Sequence, residues 1–206
     1  MRNTVLFLLL ILPACLPAQQ SDADILLGKA IAAMKADAAV QMDYIYNVYD
    51  EENDIVQSDK GVMRLDGDKY ALLMNNMMVW CNGSVQWCYM KEIDEIYITE
   101  ASSDEAQSLS PLCIMEHYRE NSTKSLEKQG GVDVVSLKPV QDGSVSRVEL
   151  FFDSKSLRLK AMYVYMYGQG RVEALLEKYT PSCKFPAASY ECPVKELPGA
   201  EIIDMR

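Results

Sequence analysis

Few residues in this chain are suited to covalent or acid–base chemistry. His117 is its only histidine, so any histidine-based triad or metal cluster must include it. It lies in a polar stretch, where a lone histidine reads as a surface residue. No Gly-x-Ser-x-Gly surrounds a nucleophile, and no glycine-rich loop is built to cradle phosphate. The acidic pairs Glu51-Glu52 and Asp94-Glu95 fall at turns, where solvated carboxylates are common, and they lack the spacing of a calcium loop. The residues therefore supply no catalytic group, no metal ligand and no cofactor site, and the expectation is a protein that is not an enzyme.

Redox chemistry is equally thin. The six cysteines include Cys15 in the leader described below, which leaves Cys81, Cys88, Cys113, Cys183 and Cys192. An odd number leaves at least one unpaired, or paired with another chain. Cys183 and Cys192 sit in a proline-rich stretch that can close a small loop, and they are the favoured disulfide pair. A two-residue turn at Asn82-Gly83 sets Cys81 opposite Ser84 rather than Cys88. No Cys-x-x-Cys occurs. Cys88 and Cys113 read as small core hydrophobes.

The apolar inventory says more. Twelve Met and twelve Tyr stand against four Phe. Methionine adapts to irregular apolar partners, and tyrosine can line a cavity mouth with its ring inside and its hydroxyl wet. The segment Trp80-Cys81-Asn82-Gly83-Ser84-Val85-Gln86-Trp87-Cys88-Tyr89 places a strong hairpin signal between aromatic arms. Met162, Val164 and Met166 alternate with Tyr163, Tyr165 and Tyr167, a strand apolar on both faces.

These residues need elements to hold them. Ser21 to Ala39 reads as a helix, capped by Ser21 or Asp22, with Ile25, Leu26, Ile31 and Met34 as its apolar stripe. Strands follow at Val40–Val48, Ile55–Leu65, Tyr70–Met74, Met77–Cys81, Ser84–Met90 and Ile93–Thr99. Residues 100–125 break the rhythm and read as one or two short helices on a loop, opened by Pro111. Strands resume at Val132–Leu137, Val145–Phe152, Leu159–Tyr167 and Val172–Tyr179. A short strand is expected near Tyr190 and a last one over Ala200–Asp204. Tight turns between about ten strands predict an α+β fold that is mainly antiparallel β. A twisted sheet of that size curls into a half-open barrel, with the N-terminal helix and the short mid-chain helices as a lid over its concave face.

The ends and the charge bound the setting. Arg2, the apolar run Val5–Leu12 and the small residue Ala18 predict residues 1–18 as a secretory signal peptide, with residues 19–206 as a single domain. In the alternative reading, Leu12-Pro13-Ala14-Cys15 is a lipoprotein box and the mature chain is lipidated at Cys15 and membrane-anchored. Both put the protein outside the cytoplasm. A net charge of −10 makes nucleic acid and anionic membrane surfaces poor partners.

The order of several short motifs resembles the LolA-like periplasmic outer-membrane lipoprotein carriers. Asn82 to Tyr89 is similar to that family's Asp-Gly-x-x-Leu-Trp-x-Tyr hairpin. Gly61, Leu65 and Tyr70 fit Gly-x-x-x-Leu-x-x-x-x-Tyr. Leu137-Lys138-Pro139, Val148 to Asp153, Leu157-Arg158-Leu159 and the ending Pro198 to Arg206 fall in the expected order. The resemblance implies a half-open barrel whose apolar cavity accepts the acyl chains of lipoproteins. It also implies inner- and outer-membrane Lol-type partners. The family's Arg-Pro, whose Arg holds the lid, has no counterpart: the region reads Arg64-Leu65-Asp66-Gly67-Asp68, and the role is not carried onto Arg64.

The expected function is thus a periplasmic, monomeric carrier or chaperone for acylated lipoproteins or other lipids. Met42, Tyr44, Tyr46, Leu72, Met74, Trp87 and Tyr89 are the expected cavity lining, and Leu109, Leu112 and Met115 the expected lid. Two alternatives stand beside it: an envelope protein that binds another hydrophobic ligand, and a non-carrier interaction module whose interior is filled.

Overall fold

The computed structural model describes residues 21–102, 110–141 and 143–206. The expected signal peptide and Cys15 lie outside them, as does Leu109. The described residues begin with helix α1 (Asp22–Ala36) and continue through strands β1 (Val40–Tyr49), β2 (Ile55–Asp66), β3 (Lys69–Leu73), β4 (Met77–Cys81), β5 (Val85–Met90) and β6 (Glu95–Glu100). Helix α2 (Pro111–Glu120) follows, then β7 (Ser122–Gln129), β8 (Val132–Pro139), β9 (Val145–Asp153), β10 (Leu159–Met166) and β11 (Gly170–Thr180). Two short 3₁₀ turns lead to β12 (Glu201–Asp204).

The twelve strands form one sheet in the order β12-β6-β5-β4-β3-β2-β1-β11-β10-β9-β8-β7. Every pairing is antiparallel except β12 on β6, which is parallel. The edge strands β12 and β7 do not pair, so the sheet stays unclosed. It is nonetheless strongly curled. Tyr70 and Leu72 on β3 share one buried cluster with Val135 and Leu137 on β8, six places away in the strand order. A flat sheet would hold such strands far apart, since neighbours are spaced by about 4.8 Å.

Both described α-helices close the concave side. Ser21 caps α1 by accepting from the Asp24 N–H at 3.2 Å. Ala23, Leu26, Leu27, Ala30, Ile31 and Met34 are buried in the same cluster as the inner strand residues. Ile25, expected in that stripe, is 41% exposed instead, because the buried face runs through positions 23, 27, 30 and 34 at helical spacing. Helix α2 packs against α1 and buries Leu112, Ile114 and Met115. Lys35 on α1 meets Glu116 on α2 at 2.5 Å.

Three local expectations are corrected. The stretch after Pro111 yields one described helix and then an edge strand, β7, from Ser122. Its sequence Ser-Thr-Lys-Ser-Leu-Glu-Lys-Gln carries one apolar residue, and lysines protect an unpaired edge. Tyr190 lies in a 3₁₀ turn, Ala187–Tyr190, rather than a strand. The β4–β5 hairpin is tight one step later than expected. Asn82 N–H donates to the Val85 carbonyl at 3.2 Å, and the Asn82 side-chain oxygen accepts from Ser84 N and Val85 N at 3.0 Å each. Gly83, at φ 91°, takes the left-handed position. Cys81 therefore faces Gln86, not Ser84.

Candidate functional site: an apolar cavity on the concave face

Period-two alternation decides which side chains enter the interior. On β1, Met42, Tyr44 and Tyr46 point inward, and their register partners on β2 are Met63, Gly61 and Asp59. On β10 and β11, Met162, Val164 and Met166 join Val172, Ala174 and Leu176 on the same face. With Leu72, Met74 and Met77 from the other side, and with Pro111 and Ile114 from α2, they enclose a cavity of about 350 Å³. That volume falls in the range of small-molecule sites, roughly 300–1,000 Å³. Ser144, which is exposed, marks its mouth.

The wall is almost wholly hydrocarbon and thioether. Its polar atoms are the hydroxyls of Tyr44, Tyr46 and Ser144 together with backbone already engaged in the sheet. Burial pushes the phenols of Tyr44 and Tyr46 above their ordinary pKa. Both are neutral hydrogen-bond donors at physiological pH. Among the described residues, no group of three or more His, Cys, Asp or Glu side chains is arranged to hold a metal. Such a surface can desolvate an apolar ligand, and it offers no nucleophile or general base.

Five of the seven residues expected to line the cavity do so: Met42, Tyr44, Tyr46, Leu72 and Met74. Trp87 and Tyr89 do not. They lie on the convex face, where Trp80, Tyr89, Ile96 and Ile98 form a second buried cluster with Ala71 and Tyr190. The C-terminal segment covers this cluster through Phe185, Cys192, Val194, Leu197 and Ala200, and Trp87 packs against it. The hairpin aromatics thus hold down a tail of their own chain. Parity explains the difference: on β5 the even residues face inward, Gln86 to the Tyr70 hydroxyl and Cys88 to the main cluster, so the odd ones face out.

The lid residues divide in a similar way. Leu112 and Met115 are buried in the main cluster beneath α2, while Pro111 and Ile114, one helical step apart, face the cavity. Arg64 lies on the convex face of β2, its guanidinium 5.1 Å from the ring centre of Phe185, and so on the opposite side of the sheet from α2. Cys183 and Cys192 are both free thiols. Cys183 is tied to the start of β1 through its N–H to the Ala39 carbonyl, whereas Cys192 belongs to the convex cluster.

The tyrosines alternating with the cavity methionines on β10 have their own role. On the convex face Tyr163 packs against Phe151 with ring centres 4.6 Å apart and the rings inclined by 50°, and Tyr165 donates to Glu149 at 2.9 Å beneath the guanidinium of Arg147. Arg171 lies 3.8 Å over Tyr49 and pairs at 2.7 Å with the buried Glu173. A strand apolar on both faces therefore serves a cavity on one side and a self-paired aromatic–ionic ladder on the other.

A crystal structure of an uncharacterized conserved protein from Thermus thermophilus superposes with a TM-score of 0.60 at 7% identity, covering 89% of this chain and 99% of that one. A DUF1329 family protein from Desulfovibrio piger superposes at 0.50 and 8% identity, covering 84% and 97%. A LolA superfamily protein from Nitrosomonas europaea gives 0.46 and 10% identity, covering 84% and 98%. The first two share the fold. No curated protein matches the chain. Residues 48–169, well over half of the sequence, match the family described as outer membrane lipoprotein carrier protein LolA, and the chain belongs to that family.

Proposed function

We propose that the protein is a periplasmic carrier that shields the acyl chains of lipoproteins in its concave cavity during their passage to the outer membrane. The supporting observation is the cavity itself: apolar walls from β1, β3, β10 and β11, roofed by Pro111 and Ile114 of α2. Burying a hydrocarbon chain there gains about 0.8 kcal/mol per methylene, and a membrane returns nearly the same. A carrier must exchange with both, and adaptable methionine walls suit repeated filling and emptying. Six of the cavity-lining residues are methionines.

On this reading residues 1–18 direct export, Met42, Tyr44, Tyr46, Leu72 and Met74 contact the acyl chains, and α2 moves aside to admit them. Delivery requires inner- and outer-membrane partners of the Lol type. No described helix is long and apolar enough to cross a membrane. The test is release. Inner-membrane vesicles carrying a labelled triacylated lipoprotein are incubated with the protein and sedimented. A soluble one-to-one complex of lipoprotein and protein supports the carrier. A free lipid recovered with the protein while the lipoprotein stays on the vesicles would mark a binder of another hydrophobic ligand.

A further inference from the structure

One polar atom of the cavity wall stands apart. Among the described residues that line the cavity, Tyr44 Oη is the only side-chain N or O atom that is both shielded from water and without a hydrogen-bond partner. The residue as a whole is 7% exposed. Its ring lies across Gly61, its register partner on β2, and the missing side chain there makes room for it. Phenylalanine would fill the same space. An unpaired buried hydroxyl is a cost to the empty protein, and a partner supplied by an occupant removes it.

The position of Tyr44 fits a particular kind of occupant. Tyr44 and Met74 line the apolar cavity, and on the same face Asp59, the register partner of Tyr46, accepts from Asn75 N at 3.2 Å and Asn75 Nδ2 at 2.6 Å. The hydroxyl thus stands near the edge at which an apolar compartment gives way to polar surface. Amphiphiles with acyl tails carry their first acceptor, the ester or amide carbonyl, at that same kind of boundary. Burial raises the Tyr44 phenol far above its ordinary pKa, with smaller contributions from Tyr46 and Asp59, so it is protonated and can donate.

We propose that Tyr44 is the polar anchor of the cavity. Its hydroxyl donates to the carbonyl oxygen of an ester- or amide-linked acyl chain whose tail lies along Met42, Met162, Val164 and Leu176. This rests on the cavity being a lipid site, and it adds a requirement for a carbonyl at one end of the tail.

The test compares the full-length mature protein with its Tyr44→Phe variant. Three probes are used: methyl palmitate, N-methylpalmitamide and n-heptadecane, each displacing a fluorescent naphthylamine from the cavity. The expected result is a loss of about fivefold to tenfold in affinity for the two carbonyl probes and none for the hydrocarbon, as for one hydrogen bond. Whether the ester or the amide loses more identifies the linkage read. The unliganded variant should melt at the same temperature as the parent or higher, because an orphaned hydroxyl has been removed. A hydroxyl with a purely structural role would lower that temperature. Equal affinities of parent and variant for all three probes would overturn the anchor while leaving the cavity reading intact. Failure of every probe to bind the parent would instead overturn the cavity reading, and the anchor with it.

Discussion

Tyr44 and Gly61 face each other across β1 and β2, and the tyrosine ring occupies the space that a side chain on residue 61 would need. A Cβ built at Gly61 would come within 2.8 Å of Tyr44 Cε2 and nearer still to the end of the ring. Gly61→Ala must therefore displace the ring or the strand. Overpacking of this kind costs about 1–3 kcal/mol, which urea denaturation will read as a lower midpoint at unchanged slope. Adding Tyr44→Leu to Gly61→Ala should recover part of that loss, a coupling expected only for residues in contact. Additive effects of the two changes would show that the ring does not rest on Gly61.

The convex aromatics hold the C-terminal segment, not a ligand. Trp80 is 7% exposed and sits in the cluster with Tyr190. Trp80→Ala should lower stability by about 3–5 kcal/mol and speed hydrogen exchange over residues 185–200. The affinity of the remaining folded molecules for an apolar probe should not change. A selective loss of probe binding at unchanged stability would put Trp80 in the site.

Alkaline pH should weaken the fold. Burial pushes the Cys192 thiol from its ordinary 9.0 up to about 11 and the Tyr190 phenol from 10.0 up to about 12, with Asp66 adding to the latter. Both acids stay neutral in the fold at a pH where the unfolded chain has already ionised. The unfolded state then binds fewer protons, so stability is fully present below about pH 9 and falls as pH rises from 9 to 12. Urea midpoints at pH 8 and pH 10.5 measure this, and equal midpoints would contradict it.

The thiols provide an independent check on the convex cluster. Cys183 and Cys192 are held apart by their anchors on β1 and on the outer cluster. Non-reducing peptide mapping of the purified protein should find no Cys183–Cys192 linkage. Alkylation at pH 8 should label Cys192 slowly until the protein is unfolded. Recovery of the linked peptide from native protein would require residues 183–192 to close on themselves instead of packing over Trp80 and Trp87.

Much of this architecture is legible in the residues, and the exceptions have physical reasons. Alternation over Val40–Val48 and Met162–Tyr167 reveals both the strands and their cavity faces, because one face must be apolar at a period of two. The β4–β5 hairpin is equally plain from Asn82-Gly83. Its outward face is not, since alternation fixes two faces without saying which is concave. Trp87 and Tyr89 carry more apolar area than Gln86 and Cys88, yet the smaller pair points in, because a separate tail covers the larger one. That cover comes from residues about a hundred positions later and leaves no local trace. β7 is hidden for the opposite reason: an edge strand with one leucine has almost no apolar signal. Pro111 and Ile114 do not announce themselves as cavity residues, because the helix rotation is set by packing against α1, not by the α2 sequence alone.

The most direct test of the carrier account is a calorimetric titration of the mature protein with a palmitoylated lipopeptide, repeated on Ala174→Phe. Ala174 lines the cavity, and a phenylalanine there fills space the acyl chain needs. The account predicts saturable one-to-one binding by the parent with a negative heat-capacity change. It predicts a variant at least as stable as the parent that binds at least tenfold more weakly. Equal binding by a folded Ala174→Phe, or no binding by the parent, would contradict it.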